Sequence, residues 1–165
     1  MNKVSEAKAQ FEKANGIKDN PISKNNLGAI AGLSGDRDKS MELLNQAGGA
    51  GKEVNYNKGI LNIQNGDYSD AVSNLGSDAS FNKALAELLN GNNSIAGTID
   101  GSADADSGQG YYLKAVAAAR QDNLQEIVGN LKSAFAKDGS LKAKAAKDRE
   151  FIKYLENASF TAIVK

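Results

Sequence analysis

The chain has 165 residues, the size of one ordinary domain, and 41% of them are apolar. Lys plus Arg equals Asp plus Glu, 20 against 20, so the charge gives no reason to expect binding to nucleic acid or to an anionic membrane surface. With neither cysteine nor histidine, the chain excludes disulfides, thiolate metal sites, the common zinc sites, and the Ser-His-Asp and Cys-His catalytic arrangements.

A single proline, 17 glycines and the absence of strict apolar alternation predict helices joined by glycine turns rather than strands. No apolar run approaches the roughly 20 residues that span a bilayer, and the opening residues MNKVSEAKAQ lack the apolar centre of a signal peptide. In chain order, residues 4–14 hold AKAQFEKA, read as the second helix of a pair without its first. This predicts a truncated first repeat or an unusual first cap. Residues 22–47 read as two helices broken at Gly35-Asp36.

The stretch GGAGKE, residues 48–53, has the composition of a phosphate-binding loop. Gln46 stands where that loop needs its first glycine, and Glu53 stands where it needs Ser or Thr, so a flexible inter-repeat loop is expected. Residues 53–76 place Tyr56, Ile60, Leu61 and Ile63 at helical spacing, break at Asn65-Gly66-Asp67, and resume with Ala71, Val72 and Leu75. Gly66 suits the left-handed position past a helix end, and Asp67 suits a cap. Residues 79–99 repeat the pattern around Ala84, Gly91 and Ala96.

The acidic run DGSADADSGQG, residues 100–110, lacks a calcium loop's ligand order. Counted from Asp104 the twelfth residue is Ala115, not Glu, and Gly108 replaces the third acid. A solvated loop with Asp106 or Ser107 capping the next helix is expected. Residues 107–137 form a fourth pair around Ala115, Asp122-Asn123 and Leu131. In residues 141–165, Asp148 is expected to cap a helix carrying Phe151, Ile152 and Leu155. Asn157 or Ser159 should cap a last helix carrying Phe160 and Ile163.

These units are repeats. Gly28, Gly35-Asp36, Ser40 and Leu44 recur 31 residues later as Gly59, Gly66-Asp67, Ala71 and Leu75. The next offsets are 25, to Ala84, Gly91 and Ala96, and 31, to Ala115, Asp122-Asn123 and Leu131. Small residues at such positions let two antiparallel helices approach closely, and a larger side chain there would force them apart.

The pattern resembles the tetratricopeptide repeat, a helix-turn-helix unit of about 34 residues. Gly28, Ser40, Leu44 and Ala47 match its small, small, large, small spacing in full. Asp78, Asp100 and Ile127 depart from it, the repeats are shorter, and the family's tryptophan and proline are missing. The resemblance implies an all-α fold: a right-handed solenoid of antiparallel helical hairpins, a TPR-like superhelix in one domain. The segment 141–165 would then serve as C-terminal capping helices, since solenoids need a terminal cap.

The resemblance also implies a site. Asn26, Asn57 and Asn82 occupy one place in three repeats, on the part of the first helix that faces the concave groove in such arrays. Beside them stand Asn25, Tyr56 and Phe81, with Tyr112 in the fourth repeat. An amide can hold a peptide bond by donating and accepting, and aromatic rings add contact area. The same asparagines could instead bridge adjacent repeats.

The expected function is therefore a non-catalytic scaffold holding a protein or peptide partner, with no cofactor, no metal, no nucleic acid and no membrane insertion. Two alternatives remain. One is an aspartate-dependent enzyme, for instance a carbohydrate-active one, which should place two carboxylates in one cleft. The other is an architectural segment of a larger envelope protein. The glycine-, asparagine- and lysine-rich composition favours an exported segment of a bacterial cell envelope or periplasm over the cytoplasm.

Overall fold

Caps and turns set the helix boundaries in the computed structural model, which describes residues 2–48 and 51–165. All regular structure among these residues is helical. The chain divides into two compact units, Met1–Ser77 and Asp78–Lys165. The first unit comprises α1 (Asn2–Ile17), α2 (Pro21–Leu33), α3 (Arg37–Gln46), α4 (Lys52–Asn65) and α5 (Tyr68–Leu75).

Asn20 caps α2: its side-chain oxygen accepts the N–H groups of Ile22 (2.9 Å) and Ser23 (3.3 Å). Pro21 follows at the first helical position, where its missing N–H costs nothing. Asp36 caps α3 by accepting the Lys39 N–H at 3.1 Å. Gly66 ends α4 in the left-handed conformation at φ 87°, as its place in the sequence predicts. Asp67 does occupy the cap of α5, but its side chain makes no capping hydrogen bond. Within GGAGKE, Gly49 and Ala50 lie outside the described residues, and Lys52 opens α4.

α2 pairs with α3 and α4 with α5, while α2 also meets α4, and α1 lies along α2. The small residues mark the closest approaches. A Cβ on Gly28 would come 2.9 Å from Leu44 Cγ, and one on Gly59 would come 2.5 Å from Leu75 Cγ. Ser40 Oγ donates to the Gly28 carbonyl at 2.8 Å in the same buried seam. Leu44, Ala47, Val54 and Leu61 form the core of this unit, with Met41 packed against it.

The second unit comprises α6 (Phe81–Leu89), α7 (Ala96–Asp100), α8 (Gly108–Arg120), α9 (Leu124–Lys137), α10 (Leu141–Ala145), a 3₁₀ helix η1 (Arg149–Tyr154), and α11 (Ala158–Val164). α8 and α9 form its principal hairpin. Four alanines of α8, Ala115 and 117–119, are buried and bring neighbouring elements close to its backbone.

Two expectations need correction here. α7 is a short helix in which Ile99 is fully buried, as is Ile95 just before it, while Ala96 and Asp100 are exposed. The buried register runs one residue earlier than the repeat offset implied, which is why Asp100 fell where a large apolar residue belonged. Next, the segment Asp148 caps is 3₁₀ rather than α. With three residues per turn, Phe151 and Tyr154 point inward, and Ile152 is left 66% exposed and Leu155 38%.

Other caps fall where expected. Ser107 Oγ accepts the Gly110 N–H at 2.9 Å. Asp148 accepts the Glu150 N–H at 3.1 Å, and Asn157 accepts those of Ser159 and Phe160. Phe151 sits edge-on to Tyr112, with centroids 5.8 Å apart, and tilts against Phe160 at 5.6 Å, so the C-terminal segment closes the core of this unit. The Tyr154 hydroxyl donates to Asp122 (3.0 Å) in the turn between α8 and α9, where Asp122 holds φ at 57°.

Candidate functional site

The successive first helices of the hairpins, α2 and α4 in one unit and α6 and α8 in the other, each border a surface recess. In the first unit Ala29, Gly32 and Leu33 of α2 line a small recess of about 170 Å³ together with Asn57, Ile60 and Gln64 of α4. Shifting each of these numbers by 56 residues gives Leu85, Leu88 and Leu89 on α6, and Leu113, Val116 and Arg120 on α8. All six of those residues line a larger groove of about 420 Å³ in the second unit. The repeat register thus places the same six helix positions around a recess twice. The side chains differ: glycine, asparagine and alanine in the first unit become leucines in the second.

The larger groove gains a third wall from the C-terminal segment, namely Lys144, Asp148 and Glu150, and it also includes Phe81, Gln109 and Tyr112. Its polar edge is held by a connected set of bonds. The Tyr112 hydroxyl donates to Asp148 Oδ2 at 2.7 Å. Burial, then this bond, pushes the Tyr112 phenol well above its ordinary value. Arg120 donates from Nε to Glu150 Oε2 (3.0 Å) and from Nη2 to Oε1 (2.5 Å), and from Nη1 to the Leu88 carbonyl (2.8 Å). The bond to Glu150 raises the pKa of the Arg120 guanidinium. The Lys144 ammonium lies 4.5 Å from the centroid of the Tyr112 ring.

The six residues singled out from the sequence divide between the units. Phe81 and Tyr112 line the same groove. Only a small part of Tyr112 faces it, since the residue is 4% exposed and its ring belongs to the core. Asn82 is half-buried at the start of α6 and does not line that groove. Asn57 lines the small recess, but its Nδ2 donates to Asn25 Oδ1 at 2.9 Å, across from α4 to α2. Asn25 is 8% exposed, so the pair is a polar bridge between hairpins. Asn26 is half-buried beside it, and Tyr56 is exposed. A second amide pair, Asn74 Nδ2 donating to Asn62 Oδ1 at 3.0 Å, joins α5 to α4.

Reading the sequence missed Leu85, Leu89, Lys144 and Glu150. The first two had a signal, an apolar stripe at spacing four along α6 that continues from Phe81. The last two had none, because only the tertiary fold brings the C-terminal segment to α8.

The acidic residues are distributed, and several of them are paired. Asp100 pairs with Lys114, and Asp106 accepts the Tyr111 hydroxyl and pairs with Lys137. A polar recess of about 400 Å³ beside α7 holds both Asp100 and Glu126. The larger groove holds Asp148 and Glu150, whose carboxylate oxygens all accept the hydrogen bonds described above. Among the described residues no cluster of three acidic side chains is arranged to hold a metal ion, and no helix is long and apolar enough to cross a membrane. Comparison with models of known protein families, with curated proteins and with solved structures finds no match.

Proposed function

We propose that the chain is a non-catalytic, TPR-like helical-repeat scaffold. In this reading it holds a peptide, or an extended segment of a partner protein, in the grooves between successive first helices. The observation that carries the proposal is the recurrence of one set of six helix positions around a recess in both units. A stacked-hairpin array presents equivalent positions side by side, and such arrays bind through that surface. The packing within each unit agrees with this: α2 meets both α3 and α4, and α6 meets both α7 and α8.

The binding surface lies principally on the apolar groove of the second unit. The Asn25–Asn57 and Asn62–Asn74 pairs support a spacing role for those asparagines rather than a ligand-holding one. In the larger groove Arg120 holds Glu150 and the Tyr112 hydroxyl holds Asp148, which supports a structural role for these two carboxylates.

Panning random displayed peptides against the folded chain tests the proposal. Recovered peptides should bind wild type and should lose affinity for Leu89→Glu, which puts a carboxylate into the apolar groove wall at a half-buried position. Peptides that bind Leu89→Glu equally well would remove the groove from the proposal.

A further inference from the structure

The charges around the larger groove identify the chemistry of its occupant; this step rests on the peptide-binding reading above. Four charged side chains border the groove: Arg120, Lys144, Asp148 and Glu150. Three of them are satisfied by the fold. Both oxygens of Glu150 accept from Arg120. Asp148 accepts the Tyr112 hydroxyl on one oxygen and the Glu150 N–H on the other.

Lys144 is different. Its ammonium lies over the Tyr112 ring, whose face attracts a cation without neutralising its charge. No carboxylate among the described residues pairs with it. An exposed ammonium is thereby held at the lip of an apolar floor made by Phe81, Leu85, Leu89 and Val116.

We propose that this groove takes an extended peptide segment in which a large apolar side chain lies within a few residues of Asp or Glu. The apolar side chain rests on Leu85, Leu89 and Val116. The carboxylate accepts a charge-assisted hydrogen bond from Lys144 Nζ, the stronger class of such bonds. Arg120 is engaged by Glu150, so the donor left at this edge is Lys144 Nζ, and an acidic segment gains a hydrogen bond there that a basic segment does not.

For the test, random peptides are displayed with their C-termini fused to the display protein, so that only side chains offer carboxylates. They are panned against the full chain, and recovered sequences are resynthesised with amidated C-termini for fluorescence anisotropy. The recovered peptides should share an acid close to a large apolar residue. Exchanging that acid for its amide should weaken binding about two- to five-fold. Lys144→Gln should cause a similar loss with the acidic peptide and almost none with its amide counterpart, while Lys144→Arg should keep most of the affinity. Lys144 is exposed, so circular dichroism should show these variants folded as wild type. Recovered peptides without an acid, or unchanged affinity for Lys144→Gln, would overturn the carboxylate assignment and leave the peptide-binding reading standing. Failure to recover any binding peptide would overturn both.

Discussion

Gly59→Ala is the smallest change that probes the packing of the repeats. A methyl group there would sit 2.5 Å from Leu75 Cγ, 2.9 Å from Cδ2 and 3.3 Å from the Leu75 backbone nitrogen. Leu75 is buried at 6% exposure, and its Cγ is the branch point of the side chain, so rotation of a flexible end cannot relieve the clash. Overpacking of this kind costs about 1–3 kcal/mol. Against it stands the helix-propensity gain of replacing glycine by alanine, about 0.5–1 kcal/mol. The balance is a net loss of up to ~2.5 kcal/mol.

Gly129, exposed in α9, is the control. A Cβ there meets nothing within 4 Å, so Gly129→Ala should show the propensity gain alone. The same substitution should therefore change sign between the two sites in urea denaturation followed by circular dichroism. Leu75→Ala should cost less in the Gly59→Ala background than in the wild type, because it removes the atoms that clash. If Gly59→Ala stabilised as much as Gly129→Ala, with no coupling to Leu75, the close approach of α4 and α5 would be refuted.

Further outcomes follow from the cap, the amide bridge and the tyrosines. Phe151→Ala should cost about 3–5 kcal/mol, because the ring is fully buried, and hydrogen exchange should accelerate first in α9, against which the C-terminal segment packs. Asn57→Ala should cost about 1–3 kcal/mol in urea denaturation, since it leaves the buried Asn25 oxygen without its donor. Burial, then the bond to Asp148, raises the Tyr112 pKa, and burial raises that of Tyr154. Each folded value lies above the unfolded one near 10, so this stability is fully present below about pH 10 and is lost as pH rises through the folded values. In a spectrophotometric titration these two should ionise above the ordinary tyrosine range, and Tyr112→Phe should shift the alkaline unfolding midpoint upward.

The parts of the fold legible in the sequence were those fixed by local chemistry and by periodicity. Gly28 with Leu44 and Gly59 with Leu75 were recognisable because both members of a hairpin recur at constant spacing. Gly66, Asp148 and Asn157 were recognisable because turn and cap positions select few residue types. α7 was misplaced by one residue because the shortened third repeat was aligned on its alanines, whereas burial follows Ile95 and Ile99. The inward face at residues 149–154 was misjudged because a helical period of 3.6 was applied where the chain winds at three residues per turn.

For the candidate site, Phe81 and Tyr112 were found from their equivalent positions. Lys144 and Glu150 were not, since they lie in a segment of a different period and reach Arg120 and Tyr112 only through the packing of Phe151 and Phe160. Asn57 stood out as an unusual residue in a helix. A bridge between repeats was one of its two expected roles, but its partner Asn25 lies 32 residues away rather than at the repeat offset of 31, so strict register did not name the pair.

A residue-resolved footprint of a bound peptide tests the central claim most directly. An amidated peptide recovered by panning would be titrated into isotope-labelled chain while amide chemical shifts are followed by NMR. The account expects concerted shifts at Leu85, Leu89, Gln109, Val116 and Lys144, with the amides of Asp104 and Ile127 unmoved. Shifts centred instead on the acidic loop 100–107 or on α9, with the groove residues unmoved, would contradict it.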